Sequence, residues 1–511
     1  MIMLLSAAAC AASCSGAAAQ SRPAAAPPAA RTRLPGPAAS VLAGPADTLA
    51  AGAARELLAS APVVVVASAA SPAGLAAAAA RAERAHAPLL LAALPAGAGA
   101  GSGTAADGPG RPQPPAISAV TRAEIMALHP RAVLAAGVAA GALSAELAGI
   151  RVVTDPARLP ATGAPRSLHR VVLLVHQGGP AAATMAAAAT AQLAGARLIS
   201  VHGYDPRADP AAITALCAAR PRQVVALGAG FGPPGRLAAR LAVAVTGVQL
   251  PGGGQVLFPL HRLVALYGHP GAAALGALGQ QGLRASIRRV REAAAPYRAL
   301  SRVPVVPAFE IIATVAQGSP GPDGSYSYES PVASLRPWVR RAITAGLYVV
   351  LDLQPGRASL LAQAERYRSL LKLPDVGLAL DPEWKLQPGQ LPLKQIGSVR
   401  IAEVNTVISW LAALTARYHL PQKLLVLHQF ELSMIRGERQ LNTHHDDLAI
   451  VIHMDGQGSP GDKQQTWDAV TGAAPPGVFF GWKNFYRKDH PMLSPVQTMA
   501  RSPQPVMISY Q

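Results

Sequence analysis

Five carboxylates in the second half of the chain stand at the ends of apolar runs. Glu310 closes "VPVVPAFE", Asp352 follows "LYVVL", Asp381 and Glu383 lie in "VGLALDPEW", and Asp455 ends "LAIVIHMD". An unpaired carboxylate is costly to bury, so an apolar run that ends on one marks the place where the chain leaves its core. If these ends meet, crowding raises some of their pKa values and leaves an acid beside a base. Such a pair is the equipment for cleaving a glycosidic bond, where one group protonates the leaving oxygen and the other attacks or activates water. Asp381 or Glu383 is favoured as the acid and Asp352 or Asp455 as its partner, with Glu310 a further member. The i, i+2 spacing points Asp381 and Glu383 to the same side of an extended strand. Pro382 between them cannot donate a ladder hydrogen bond, which suits a strand end.

Polar and aromatic residues crowd the same run ends. Trp384 and Trp482 are placed to stack on sugar faces, and Tyr267, His269, His428, Gln429, His453 and Lys483 to bond hydroxyls. Glu431 is a possible sixth carboxylate, while Glu403 and Asn405 read as a solvated helix face. The rival chemistry is zinc hydrolysis through His269, His428, His453 and Asp455. The His-x-His pair usual on an early strand of such enzymes is missing from "YGHP", and the reading assigns neither metal nor cofactor. "PGGGQ" at 251–255 lacks the Lys-Ser/Thr ending of a phosphate loop, and a serine nucleophile elbow is not found.

What must position these residues is a set of eight short apolar runs, at 262–270, 303–311, 347–355, 376–384, 423–431, 448–456, 477–485 and 505–511. They are nearly continuous in Val, Leu and Ile, as parallel strands covered on both faces are. Helical periodicity separates them, at 272–299, at 334–346 with Ser334 as cap, at 357–371, and at 398–421 with Ser398 as cap. Eight strands with helical crossovers over 255–511 predict a (β/α)8 barrel, whose sites are built at the C-terminal ends of the strands.

The preceding region, 38–250, is predicted to be α/β with parallel sheets built from two repeats. "APVVVVASAASPAGLAAAAARAERAHAPLLLA" starts at 61 and "HRVVLLVHQGGPAAATMAAAATAQLAGARLIS" at 169, each followed by a further helix and strand. Residues 97–116 are a low-complexity loop and 21–37 a Pro- and Ala-rich linker. Residues 1–20, "MIMLLSAAACAASCSGAAAQ", read as an export signal of lipoprotein type, with Cys14 the lipidation candidate. Cys217 reads as a buried helix residue, and three cysteines exclude a disulfide framework.

Two resemblances follow from these stretches. "VLAG" at 41, "APLLLA" at 87 and "VLAAGVAAGAL" at 133 resemble the cell wall binding repeat 2 family. That likeness implies an α/β module able to hold anionic wall polymers. "YGHP", "LDLQPG", "ALDPEW", "EVN", "LHQFE", "HMDGQG", "GWKNFY" and "YQ" resemble a family of uncharacterised bacterial secreted proteins with a glycoside-hydrolase-like barrel. It implies the barrel and no particular reaction.

Charge narrows the partners. The net charge of +18 is spread along the chain without a basic block. Diffuse positive charge favours anionic surfaces such as headgroups or acidic polymers. No nucleic-acid recognition motif accompanies it, so nucleic acid is not expected as a partner. The expectation is an exported envelope protein, tethered through Cys14 at the outer face of the membrane or secreted, whose barrel acts on a glycan. The alternative is a non-catalytic glycan-binding or surface-structural lipoprotein.

Overall fold

The computed structural model describes residues 26–92 and 116–511. The leader, Cys14 and nearly all of the 97–116 loop lie outside them. Sixteen parallel strands organise the described residues into two small sheets and one closed ring. In the first region the strands are β1 (Ala39–Leu42), β2 (Val63–Ala67), β3 (Leu89–Leu91), β4 (Ala132–Ala136), β5 (Arg151–Val153), β6 (Val171–His176), β7 (Arg197–Val201) and β8 (Gln223–Leu227). One sheet runs β3-β2-β4-β5 and the other β7-β6-β8-β1, all parallel.

Each repeat therefore lays its three strands in the same order, second, first, third. The fourth place is filled by β5 in one sheet and by the N-terminal strand β1 in the other. Helices rich in Ala fill the space between. Helix Ala46–Leu57 buries Leu49, Ala50, Ala51, Gly52, Ala53, Ala54 and Leu57, nearly its whole circumference. Side chains this small let it lie against helix Ala181–Ala194, and residues of both sheets join one core around them. Cys217, on helix Pro210–Ala219, is half-buried rather than buried.

The second region closes as a barrel of eight parallel strands. They are β9 (Arg262–Gly268), β10 (Val305–Ala316), β11 (Tyr348–Leu353), β12 (Val376–Leu380), β13 (Lys423–Gln429), β14 (Leu448–Met454), β15 (Phe479–Asn484) and β16 (Met507–Tyr510). Each pairs with the next, and β9 pairs with both β10 and β16, which completes the ring. Alternation along each strand sorts the residues. Leu263, Ala265, Val306, Ala308, Val350, Ala379, Val426 and Val451 fill the interior, plugged by Leu250, Leu257 and Phe258. Val264, Leu266, Phe309, Leu351, Leu378 and Leu425 face the helices. A Cβ on Gly377 would stand 2.7 Å from the Leu424 carbonyl and 3.1 Å from the Tyr348 hydroxyl. The room left by Gly377 is thus taken by Tyr348.

Helix boundaries depart from the sequence pattern where backbone finds another partner. Residues 272–282 form short 3-10 turns, and the regular helix is Leu283–Arg298. Ser334 lies inside helix Val332–Thr344 and bonds back to the Pro331 carbonyl. Ser398 does not cap, because Val399–Arg400 pairs with Ile435–Arg436 before helix Ile401–Arg417 begins.

The first region meets the barrel at the N-terminal ends of its strands. Asp446, just before β14, accepts hydrogen bonds from Arg207 at 2.8 Å and Arg240 at 2.7 Å. The opposite, C-terminal face carries the carboxylates. No helix among the described residues is long and apolar enough to cross a membrane.

Candidate active site

Continuing the inward parity of each strand to its C-terminal end names one layer: Tyr267, Glu310, Asp352, Asp381, His428, His453, Lys483 and Ser509. All of them are buried. His428 stands at the middle of it. Its Nε2 is 3.0 Å from Glu310 Oε1 and 4.0 Å from Asp352 Oδ1, and its Nδ1 is 3.3 Å from Asp455 Oδ2. Burial alone would discharge this imidazole, but Glu310 and Asp455 outweigh burial and lift its pKa well above the usual histidine value. The surroundings therefore favour the imidazolium form of His428, which lies between the carboxyl groups of Glu310 and Asp455. His453 is the opposite case: burial, then the charges of His428 and Lys483, push its pKa well below the usual value. It is a neutral ring 2.7 Å from the Ser509 hydroxyl. Its place exists because position 481 is glycine, whose Cβ would lie 2.0 Å from His453 Nδ1.

Above this layer opens a cavity of about 350 Å³ lined by Asp381, Glu383, Trp384, Asp455, Lys483 and Gln354, with Phe430 and Phe485 as apolar walls. Carboxylate oxygens of Asp381, Glu383 and Asp455 all lie within 4.8 Å of one another. Their environments differ. Burial, then the neighbouring Asp352, drives the Asp381 pKa well above the ordinary range, and among the described residues its Oδ1 has no hydrogen-bond partner. Burial and the charge of Asp455 raise Glu383. Asp455 is also buried, but His428 and Lys483 overcome the burial and hold its pKa below the ordinary value. Asp352, raised to about 6 chiefly by burial, accepts a 2.8 Å hydrogen bond from the Tyr267 hydroxyl. Lys483 Nζ is 3.8 Å from Asp455 Oδ2 and sits 3.6 Å from the centre of the Tyr267 ring. The site thus sets carboxyl groups whose pKa values are raised beside one whose value is lowered.

The sequence-derived residues divide by position. The five catalytic candidates, Tyr267, His428, His453 and Lys483 converge at the barrel mouth. Glu310, Asp352, His428 and His453 are fully buried and do not line the cavity, while Trp384 is half-buried in its wall. Trp482 does not reach the cavity. It points outward between strand and helix, packs on Trp467 with ring centres 5.5 Å apart, and donates from Nε1 to Asn484. Gln429 likewise faces outward and donates to Glu438 at 2.8 Å. His269 lies off the cavity wall, 3.1 Å from the Ser330 hydroxyl. Glu431 is exposed, and Glu403 accepts from Lys385 Nζ at 2.9 Å.

The zinc reading loses its geometry, since His269 is on Ser330 and His453 on Ser509, while His428 faces two carboxylates. Among the described residues, the oxygens of Asp381, Glu383 and Asp455 are the set able to hold a hard divalent cation. Gln354, a polar run-end residue given no role from sequence, donates from Nε2 to the Tyr267 hydroxyl at 3.2 Å, and the wall residues not singled out are Phe430, Gln457, Thr466, Phe485 and Lys488. Phe430 and Phe485 continue the inward parity of His428 and Lys483 at the ends of their runs, whereas Gln457 and Lys488 come from loops and Thr466 from helix Pro460–Ala473. No protein-family model, no curated protein and no solved structure matches this chain.

Proposed function

We propose that the barrel is a glycoside hydrolase acting on an envelope glycan, with Glu383 as the acid and Asp455 as the carboxylate partner. The observation that carries this reading is a pair of carboxyl groups facing one cavity whose surroundings push their pKa values in opposite directions. Opposed shifts in neighbouring groups are what separate an acid from a base at one pH. Glu383 protonates the glycosidic oxygen as the C–O bond breaks, and Asp455 attacks the anomeric carbon. Glu383 then takes a proton from the water that displaces Asp455. Carboxylate oxygens of the two groups lie within 4.8 Å of one another, which sits on the side of the short separations used by retaining enzymes, so retention of the anomeric configuration is the expected outcome. Asp381 stays protonated beneath them as a hydrogen-bond donor, and Trp384 gives a ring face for the sugar. Export and tethering through the leader belong to the same proposal and rest on residues 1–20.

The test is hydrolysis of a panel of envelope glycans by the full chain and by Glu383→Gln and Asp455→Asn. Turnover with retained configuration that both variants lose, with binding kept, supports the reading. Binding without turnover in the parent protein would leave a non-catalytic binding cleft.

A further inference from the structure

The cavity over the carboxylates has a neighbour. A second cavity of about 110 Å³ shares Phe485, Lys488 and Gln511 with it. The remaining wall includes Gln280, Tyr486 and Arg487. Charge differs between the two. The first sets Lys483 and Lys488 beside Asp381, Glu383 and Asp455, whereas the charged side chains lining the second, among the described residues, are Arg487 and the shared Lys488. Both are exposed, and among the described residues neither is in an ion pair with a carboxylate.

The aromatic wall is held in place. Tyr486 stacks with Tyr510 at 5.5 Å between ring centres, and the Arg289 guanidinium lies 5.1 Å from the Tyr486 ring centre. Arg289 also donates to Gln280 Oε1 at 2.9 Å, so the aromatic ring and the amide are tied to one guanidinium. A fixed, part-exposed aromatic ring beside two exposed cations suits a saccharide bearing negative charge: the exposed part of the ring packs on the sugar and the cations take a carboxylate or phosphate.

We propose that this second cavity is a subsite for an anionic saccharide unit, adjoining the unit cleaved over Glu383 and Asp455. The inference rests on the glycan reading of the barrel and adds the substrate class: a polymer whose neighbouring residue carries a carboxylate or a phosphate. A neutral glycan would leave Arg487 and Lys488 unanswered.

The experiment uses the full chain carrying Glu383→Gln, so that bound glycan is not consumed. The array holds matched pairs: uronic-acid oligosaccharides with their carboxyl-reduced forms, and sugar-phosphate oligomers with their dephosphorylated forms. The charged member of one pair is expected to bind about tenfold tighter at low salt, the effect of two partly exposed charge contacts. Adding Arg487→Ala and Lys488→Ala is expected to bring that ratio to about one. The pair that responds tells carboxylate from phosphate. Equal binding of charged and neutral members, or a preference that survives the double substitution, overturns the subsite and leaves the glycan reading standing. Binding to no glycan on the array overturns both.

Discussion

Both regions of the molecule are built of parallel strands covered by helices, yet among the described residues only the barrel turns its strand-end carboxyl groups onto one centre. In the open sheets, β2 runs out into Ser68-Ala69-Ala70-Ser71, and β6 into Gln177-Gly178-Gly179. These ends lie side by side along an edge, and small residues suffice there. In the barrel the same kind of end points at a common centre. Eight strands must then share one confined layer, and polar residues placed in it lose water and have to answer one another. His428 charged between Glu310 and Asp455, and His453 neutral on Ser509, are two outcomes of that crowding. Ring closure converts ordinary strand ends into a set of mutually tuned acids and bases.

The sharpest way to break this contrast is at the acid and its partner. Glu383→Gln and Asp455→Asn are each expected to lower kcat by about 10²–10⁴, the usual worth of a positioned acid or base. His176→Ala, at the end of β6, is expected to leave kcat unchanged. Parallel assays of the three variants on a turned-over glycan check this.

Stability comes next. His428→Ala leaves Glu310 and Asp455 buried without their shared cation and is expected to cost about 3–5 kcal/mol in denaturant unfolding. The pH dependence follows from the same groups. The folded-state pKa of His428 is raised, so its contribution is full below 6.5 and is lost as pH rises through the raised value. Asp352, raised from 3.8 to about 6, contributes below 3.8 and loses that contribution as pH passes 6. Asp352→Asn, a neutral mimic of the protonated group, is expected to flatten the unfolding free energy across that acidic window.

Smaller effects separate the interiors. Gly481→Ala forces a methyl group against the His453 ring and is expected to cost about 1–3 kcal/mol. Gly235→Ala, in helix Pro234–Ala244 of the first region, meets open space. There a neutral to slightly stabilising change, at most about 1 kcal/mol, is expected in the same melts. The least effect is expected at the junction. Arg240→Ala removes a pair with Asp446, whose side chain is 41% exposed, and surface screening limits the loss to about 1 kcal/mol or less.

Much of the barrel was legible because each strand is a run of Val, Leu and Ile that ends in polarity, and because eight such runs fit one architecture. The converging carboxylates were legible for the same reason. Trp482 and Gln429 were misplaced by reading strand ends as clusters rather than as alternating faces. Lys483 inside puts Trp482 outside, and His428 inside puts Gln429 outside, by the period of two alone. Other features depend on contacts between strands that no single run encodes. Gly481 is required by a histidine on β14, and the Glu310–His428 pair spans the ring. The failed cap at Ser398 has the same origin, a short ladder with residues 435–436. Gln457 and Lys488 reach the cavity from loops, where periodicity carries no information.

The account stands on opposed protonation of two neighbouring carboxyl groups, and that can be measured without a substrate. Side-chain carbonyl ¹³C NMR titration of the full chain, with resonances assigned through Glu383→Gln and Asp455→Asn, reads each group directly. The expected result is a Glu383 midpoint above the ordinary 4.5 and an Asp455 midpoint below the ordinary 3.8. Midpoints at the ordinary values, or shifted in the reverse sense, would contradict it.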